Sequence, residues 1–193
     1  RHTEHSDDAV FLCKMAEIFA GYFHAEERAH VISNACISGV SALIAGKRMI
    51  ENGIYRRVIV AGGDLLSHFI TSGFGSFRSL SSRPCRPYDS SRDGLNLGEA
   101  CGAVLLSSEG TEEHVILSGG AVSNDANHIS GPSRTGDGLY FAIRQAMQEA
   151  GTAPQDISFV NAHGTATLYY DEMESKALTL AHLEQVPVHS LKP

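Results

Sequence analysis

Three residues stand where chemistry could be done. Cys36 lies in Ser33-Asn34-Ala35-Cys36-Ile37-Ser38-Gly39, between a short apolar run and a helical pattern, so it reads as a thiol at a strand-to-helix turn. A thiol there faces unpaired backbone N–H groups and the positive end of a helix dipole, which favour the thiolate. The same N–H groups can receive the oxyanion of a thioester under attack. An isolated cysteine is more often an inert core thiol, and the turn leaves the two readings balanced. His163 ends a second strand pattern, in Asn161-Ala162-His163-Gly164-Thr165-Ala166-Thr167. In open α/β sheets ligands collect beyond the carboxyl ends of strands, where Cys36 and His163 both fall. A histidine there is either a working donor or a plain loop anchor. Lys192, in Val188-His189-Ser190-Leu191-Lys192, carries no signal by itself, since most lysines are solvated charges.

The elements that must position these residues follow from periodicity. Residues 9–24 recur at helical spacing after Asp7-Asp8, and 29–33 suit a buried strand ending at Asn34-Ala35-Cys36. Residues 37–52 predict a helix stopped by Gly53, with Gly39, Ala42, Ala45 and Gly46 permitting close packing. A continuous apolar strand is expected over 57–61, then an irregular surface segment over 72–98. Strands are expected over 102–107 and 115–123, joined by the acidic turn 109–113. A helix over 139–150 ends at Gly151, followed by a strand over 157–161, a helix over 171–183 and a strand opening at 186–189. The alternation predicts an α/β layered fold with mostly parallel connections, and no repeat or linker divides the chain.

Composition excludes several classes. The 193 residues are 42% hydrophobic and 19% charged, enough for a sizeable core. A formal net charge of −7 argues against a nucleic-acid binder. No run of apolar residues is long enough to span a membrane, and the polar start Arg1–Asp8 resembles neither a signal nor a transit peptide. Cys13, Cys36, Cys85 and Cys101 are scattered without CxxC spacing, which favours free thiols and a cytoplasmic location. The ten histidines make no zinc-binding spacing, so no metal is expected.

Asn34–Gly39, the stretch Cys85-Arg86-Pro87-Tyr88-Asp89 through Arg92-Asp93-Gly94-Leu95-Asn96-Leu97-Gly98-Glu99, and His163-Gly164-Thr165-Ala166-Thr167 with Asp171 and Glu174 resemble the β-ketoacyl-acyl-carrier-protein synthases. They occur in that family's order and near its spacings, and Lys192 follows His163 about where the family places its active-site lysine. The resemblance implies an α/β thiolase-like fold, a five-layer α-β-α-β-α sandwich that is incomplete in this chain and usually dimeric. Residues 1–193 would be part of one such domain, the end of its first half over roughly 1–110 and the start of its second over roughly 111–193.

It also implies roles. Cys36 would carry the acyl chain as a thioester, His163 would hydrogen-bond the malonyl thioester oxygen, and Lys192 would hold local electrostatics. Thr165 and Thr167 match positions that contact the phosphopantetheine arm, and Arg78 matches one that docks the acidic carrier protein. Asp171 and Glu174 look like partners for Lys192 and its loop, and His128 is assigned a structural role. The implied reaction is decarboxylative Claisen condensation with malonyl-acyl carrier protein, giving a 3-oxoacyl-acyl carrier protein in fatty-acid or polyketide biosynthesis. The implied partners are acyl carrier protein, malonyl and acyl thioesters and a second copy of the protein. No cofactor is implied, because the phosphopantetheine arm arrives on the carrier.

Two other readings are kept: a noncatalytic partner of the chain-length-factor type, and a cysteine hydrolase using Cys36 and His163. The chain departs from the family at Tyr88, where Phe is commoner, and at Leu168-Tyr169-Tyr170, where Pro and smaller residues are usual. Members are longer at both ends. The second catalytic histidine, a Gly-Phe-rich loop and the central strand of the first half would fall outside these residues. A sheet without its centre is expected to show open edges, and the 193 residues alone are not expected to work as an enzyme. Acyl chain length and pathway are not legible.

Overall fold

The computed structural model describes residues 11–25, 27–111, 113–125, 127 and 131–192. His128 and the Asp7-Asp8 start of the first expected helix lie outside the described residues. The elements run α1 (Leu12–Tyr22), α2 (Ser38–Glu51), β1 (Arg57–Asp64), α3 (His68–Ser76), β2 (Ala100–Ser107), α4 (Asp137–Ala150), β3 (Val160–Asn161), α5 (Leu168–Leu180) and β4 (Val188–His189). Contacts divide the chain into two compact units, residues 1–42 and 43–193.

In the first unit α1 buries none of its residues, and Phe11, Ile18, Tyr22 and Phe23 are exposed. The strand expected over 29–33 forms no ladder among the described residues. A strand is completed by its neighbour's N–H and C=O groups, and no neighbouring strand pairs with it among the described residues.

In the second unit β1 and β2 pair antiparallel, from Arg57 opposite Ser107 to Asp64 opposite Ala100. This pair departs from the expectation of mostly parallel connections, which the parallel β3–β4 pair meets. The chain turns back through α3 and an irregular segment rather than crossing over a helix to the same end of the sheet. The helical Gly46 lies against this sheet: a Cβ there would sit 2.9 Å from Leu106 Cδ1 and 3.2 Å from Val58 Cγ1. Each strand has one partner, so each outer edge is open among the described residues, and Ile59 and Leu105 are exposed.

Residues 115–123, expected as a strand, also lack a ladder, and Val115 is fully exposed. Gly119 and Gly120 nonetheless pass closely between helices. A Cβ at Gly119 would meet the Ala146 carbonyl, and one at Gly120 would lie 2.6 Å from Ile44 Cγ1. Lys47 joins the same region, reaching Glu149 at 2.5 Å and Glu51 at 2.6 Å.

The buried Leu178, Ala181 and Leu183 form the centre of the other packed region, with Tyr140, Ile143, Ile157, Val160 and Val186 against them. Removing Leu178 to Ala should cost about 2–5 kcal/mol through lost burial and a cavity, read as a lower denaturation midpoint. Both expected glycine stops hold: Gly53 at φ 68° and Gly151 at φ 65° close α2 and α4 in the left-handed conformation. Among the described residues, no helix is long and apolar enough to cross a membrane.

Candidate active site

Cys36 belongs to the first unit and is exposed. Ala35, immediately before it, takes φ 47°, a left-handed conformation that a residue with a Cβ adopts at a cost. Ser38, the first residue of α2, staples the turn. Its hydroxyl accepts from the Asn34 N–H at 2.7 Å and donates to the Ala35 carbonyl at 2.7 Å. The sharp turn thus presents Cys36 two positions before the helix begins.

His163, Lys192, Thr165 and Thr167 come together in the second unit, beyond the ends of β3 and β4. The two strands run parallel, with Val160 opposite Val188 and Asn161 opposite His189. Ala162 N–H donates to the His189 carbonyl at 2.8 Å, and Ser190 Oγ donates to the Gly164 carbonyl at 3.2 Å. Parallel pairing therefore carries both loops out of the same sheet end. Gly164 is required there: it takes φ 49°, and a Cβ would sit 2.7 Å from Ser190.

Two carboxylates one helical turn apart on α5 grip this loop. Glu174 Oε1 accepts from the His163 N–H at 2.7 Å, and its Oε2 accepts from the Gly164 N–H at 2.9 Å. Asp171, 2% exposed, accepts from the Ala166 N–H at 3.1 Å and from the Tyr88 N–H at 2.8 Å. Ala166 and Tyr88 both hold positive φ, at 57° and 64°, so the carboxylates support turns that the backbone alone disfavours. Arg92 Nε lies 3.5 Å from Asp171 Oδ2, and its Nη1 and Nη2 donate to the Asp89 and Leu168 carbonyls. The expectation that Asp171 and Glu174 serve Lys192 is corrected: neither forms an ion pair with it among the described residues. Their oxygens lie on the inner side of the His163 loop and are filled by its N–H groups, Tyr88 and Arg92.

The His163 imidazole is held below the ordinary histidine range. Desolvation is the main cause, the Lys192 ammonium adds to it, and the Glu174 and Asp171 charges oppose it. The residue as a whole is exposed, yet its ring has enough protein around it for desolvation to dominate. The ring is therefore neutral at neutral pH. Folded His163 binds a proton less readily than in the unfolded chain. Stability is thus lost as the pH falls below the ordinary histidine value of about 6.5 and is unaffected above it. Replacing Lys192 by Met removes one of the two depressing causes, so the His163 titration should rise by several tenths of a unit, checked by the pH dependence of its ring carbon resonances.

Thr165 is buried, and its hydroxyl pairs with that of Thr167 at 2.8 Å. Thr167 is the N-cap residue of α5 but makes no capping bond through its side chain. Arg78 is exposed just after α3, at φ 52°. Its N–H donates to the Gly75 carbonyl at 3.0 Å, a helix-ending turn usually given to glycine. Sequence reasoning missed Ser38, Arg92 and Ser190 as supports of the site. The segment expected to be irregular over 72–98 begins inside α3 and is pinned inward: Cys85 is buried, and its N–H donates to Asn96 Oδ1 at 2.7 Å.

Among known proteins, the family profile described as "Beta-ketoacyl synthase, N-terminal domain" matches residues 12–111, and "Beta-ketoacyl synthase, C-terminal domain" matches 114–193. The chain is 31% identical over 156 residues to 3-oxoacyl-[acyl-carrier-protein] synthase 2 of Staphylococcus aureus, covering 75% of this chain and 39% of that protein. It is 33% identical over 175 residues to the protein of the same name from Synechocystis, covering 82% and 42%. Among solved structures, a ketosynthase in complex with its chain length factor from Xenorhabdus doucetiae superposes with a TM-score of 0.87 at 36% identity, covering 93% of this chain and 45% of that one. A type II polyketide synthase complex of acyl-carrier protein with its ketosynthase bound to the hexaketide gives 0.88 at 26% identity, covering 98% and 51%. The chain thus spans about two fifths of the length of the curated relatives it matches. Its α/β elements are an incomplete thiolase-like fold. With profiles covering nearly all its residues and the motif loops built as described, the chain belongs to the β-ketoacyl synthase family.

Proposed function

We propose that the protein containing this chain catalyses decarboxylative Claisen condensation between an acyl thioester on Cys36 and malonyl-acyl carrier protein. The observation that carries the reading is the His163 loop: a neutral imidazole, its backbone fixed by Glu174, standing beside Lys192 at the carboxyl end of paired parallel strands. A neutral ring can donate a hydrogen bond to an oxygen that gains negative charge, which is what decarboxylation of a malonyl thioester requires.

The steps balance. The Cys36 thiolate attacks the acyl-carrier thioester, a new C–S bond forms and the phosphopantetheine thiolate leaves. The malonyl thioester loses carbon dioxide, and the electron pair of the broken C–C bond passes to an enolate whose oxygen receives the His163 hydrogen bond. The enolate carbon then attacks the Cys36 thioester, forming the C–C bond and releasing the Cys36 thiolate. Decarboxylation supplies the carbanion, so no base is needed to remove a carbon-bound proton. Thr165 and Thr167, whose hydroxyls satisfy one another and retain acceptor capacity, would meet the amides of the phosphopantetheine arm.

Arg78 would dock the acidic carrier. A left-handed helix end occupied by Arg instead of Gly supports this, because glycine would fit the backbone with less strain. Arg78→Gly is expected to leave the melting temperature equal or higher while weakening carrier binding about tenfold, measured by titration with acyl carrier protein. The reaction is tested by incubating the purified protein with carrier-bound malonate and an acyl donor. Acylation at Cys36, carbon dioxide release and a 3-oxoacyl product support condensation. Thioester hydrolysis with no C–C product sinks it.

A further inference from the structure

Tyr88 is held by both buried carboxylates of α5. Its N–H donates to Asp171 Oδ2, and its phenol donates to Glu174 Oε2 at 2.6 Å. That same Oε2 accepts from the Gly164 N–H, while Oε1 accepts from the His163 N–H. The phenol is therefore a third donor on the carboxylate that fixes the His163 backbone. Hydrogen bonds to an ionised oxygen are short and strong, and each donor takes up part of the charge. A phenylalanine would supply the ring without the donor. Burial and the Glu174 bond keep the Tyr88 phenol protonated throughout the working pH range.

We infer that Tyr88 is a positioning residue for His163: its phenol fixes the Glu174 carboxylate where it can grip the His163–Gly164 backbone and draws off part of the negative charge that the imidazole feels. Facing that imidazole are Lys192 from the segment after β4, and Glu174 and Asp171 from α5, with Arg92 of the irregular segment paired to Asp171. Taking away the phenol proton leaves Glu174 less neutralised, which favours imidazolium and loosens the loop. The catalytic consequence rests on the condensation reading, but the tether itself does not.

The test is Tyr88→Phe in the purified protein, read by the pH dependence of His163 modification by diethyl pyrocarbonate and quantified by peptide mass spectrometry. The midpoint is expected to rise by about half a unit. The kcat for malonyl decarboxylation should fall roughly three- to tenfold with KM unchanged. An unmoved His163 midpoint overturns the inference whatever the condensation assay reads. A raised midpoint in a protein that never forms a C–C bond upholds the tether and overturns the condensation reading instead. Nitration of the unaltered protein by tetranitromethane, which attacks phenolate, decides the matter if the variant does not fold. Protection of Tyr88 relative to the exposed Tyr169 is expected, and equal nitration of the two overturns the inference.

Discussion

Asp171→Asn is expected to lower the stability of the protein by about 3–5 kcal/mol, the cost of removing one member of a buried ion pair. Asp171 is almost wholly buried, and its two oxygens take the Ala166 and Tyr88 N–H groups and face Arg92. An asparagine fills the same volume but turns an amide NH2 toward one of those donors. It also leaves the Arg92 charge, whose side chain is only 14% exposed, without its counter-ion. Two left-handed turns lose their support together, so the His163 loop and the segment around Tyr88 should loosen as one. Denaturant titration checks the prediction through its midpoint. Glu172→Gln is the control, because Glu172 bonds the exposed Lys176 one turn along the same helix, with Arg92 a lesser influence, and its loss should barely move the midpoint. Equal effects from the two substitutions would refute the clamp.

The motif loops were legible because their chemistry is local. Gly53 and Gly151 mark helix ends through their own backbone freedom, and the turn before Cys36 is written in small residues followed by a helical pattern. The carboxylates were misread although Ala166, His163 and Gly164 lie only 5 to 11 positions before them, and a further partner, Tyr88, lies 83 positions before Asp171. The i, i+3 spacing of Asp171 and Glu174 did signal one shared helix face, but nothing local says which N–H groups that face meets. The segments over 29–33 and 115–123 look like strands by composition, yet pairing belongs to two segments at once. Helix α3 was hidden by its Ser and Gly content, and its Ser67 cap, accepting from Ile70 N–H, becomes visible only in the fold.

Cys36→Ala is expected to abolish condensation, by at least about 10³-fold, since the acyl group then has no atom to sit on between the two half-reactions. Cys36→Ser separates holding the acyl group from passing it on. A serine hydroxyl can form an oxygen ester, but it is a weaker nucleophile at neutral pH and its alkoxide is a poorer leaving group than a thiolate. That variant should acylate slowly and deliver no 3-oxoacyl product. His163→Ala should instead leave acylation of Cys36 intact and remove carbon dioxide release, because its hydrogen bond is needed only once the enolate forms. The double variant should be no worse than Cys36→Ala alone, as the two residues act in successive steps of one sequence. These assays also divide the rival readings. A noncatalytic partner would lose nothing on any of the substitutions, and a cysteine hydrolase would lose thioester hydrolysis with Cys36→Ala while the unaltered protein makes no C–C bond. Only a condensing enzyme yields acylation without carbon dioxide release in His163→Ala, and neither acylation nor a 3-oxoacyl product in Cys36→Ala, so the pattern across variants decides among the three readings more sharply than any one rate.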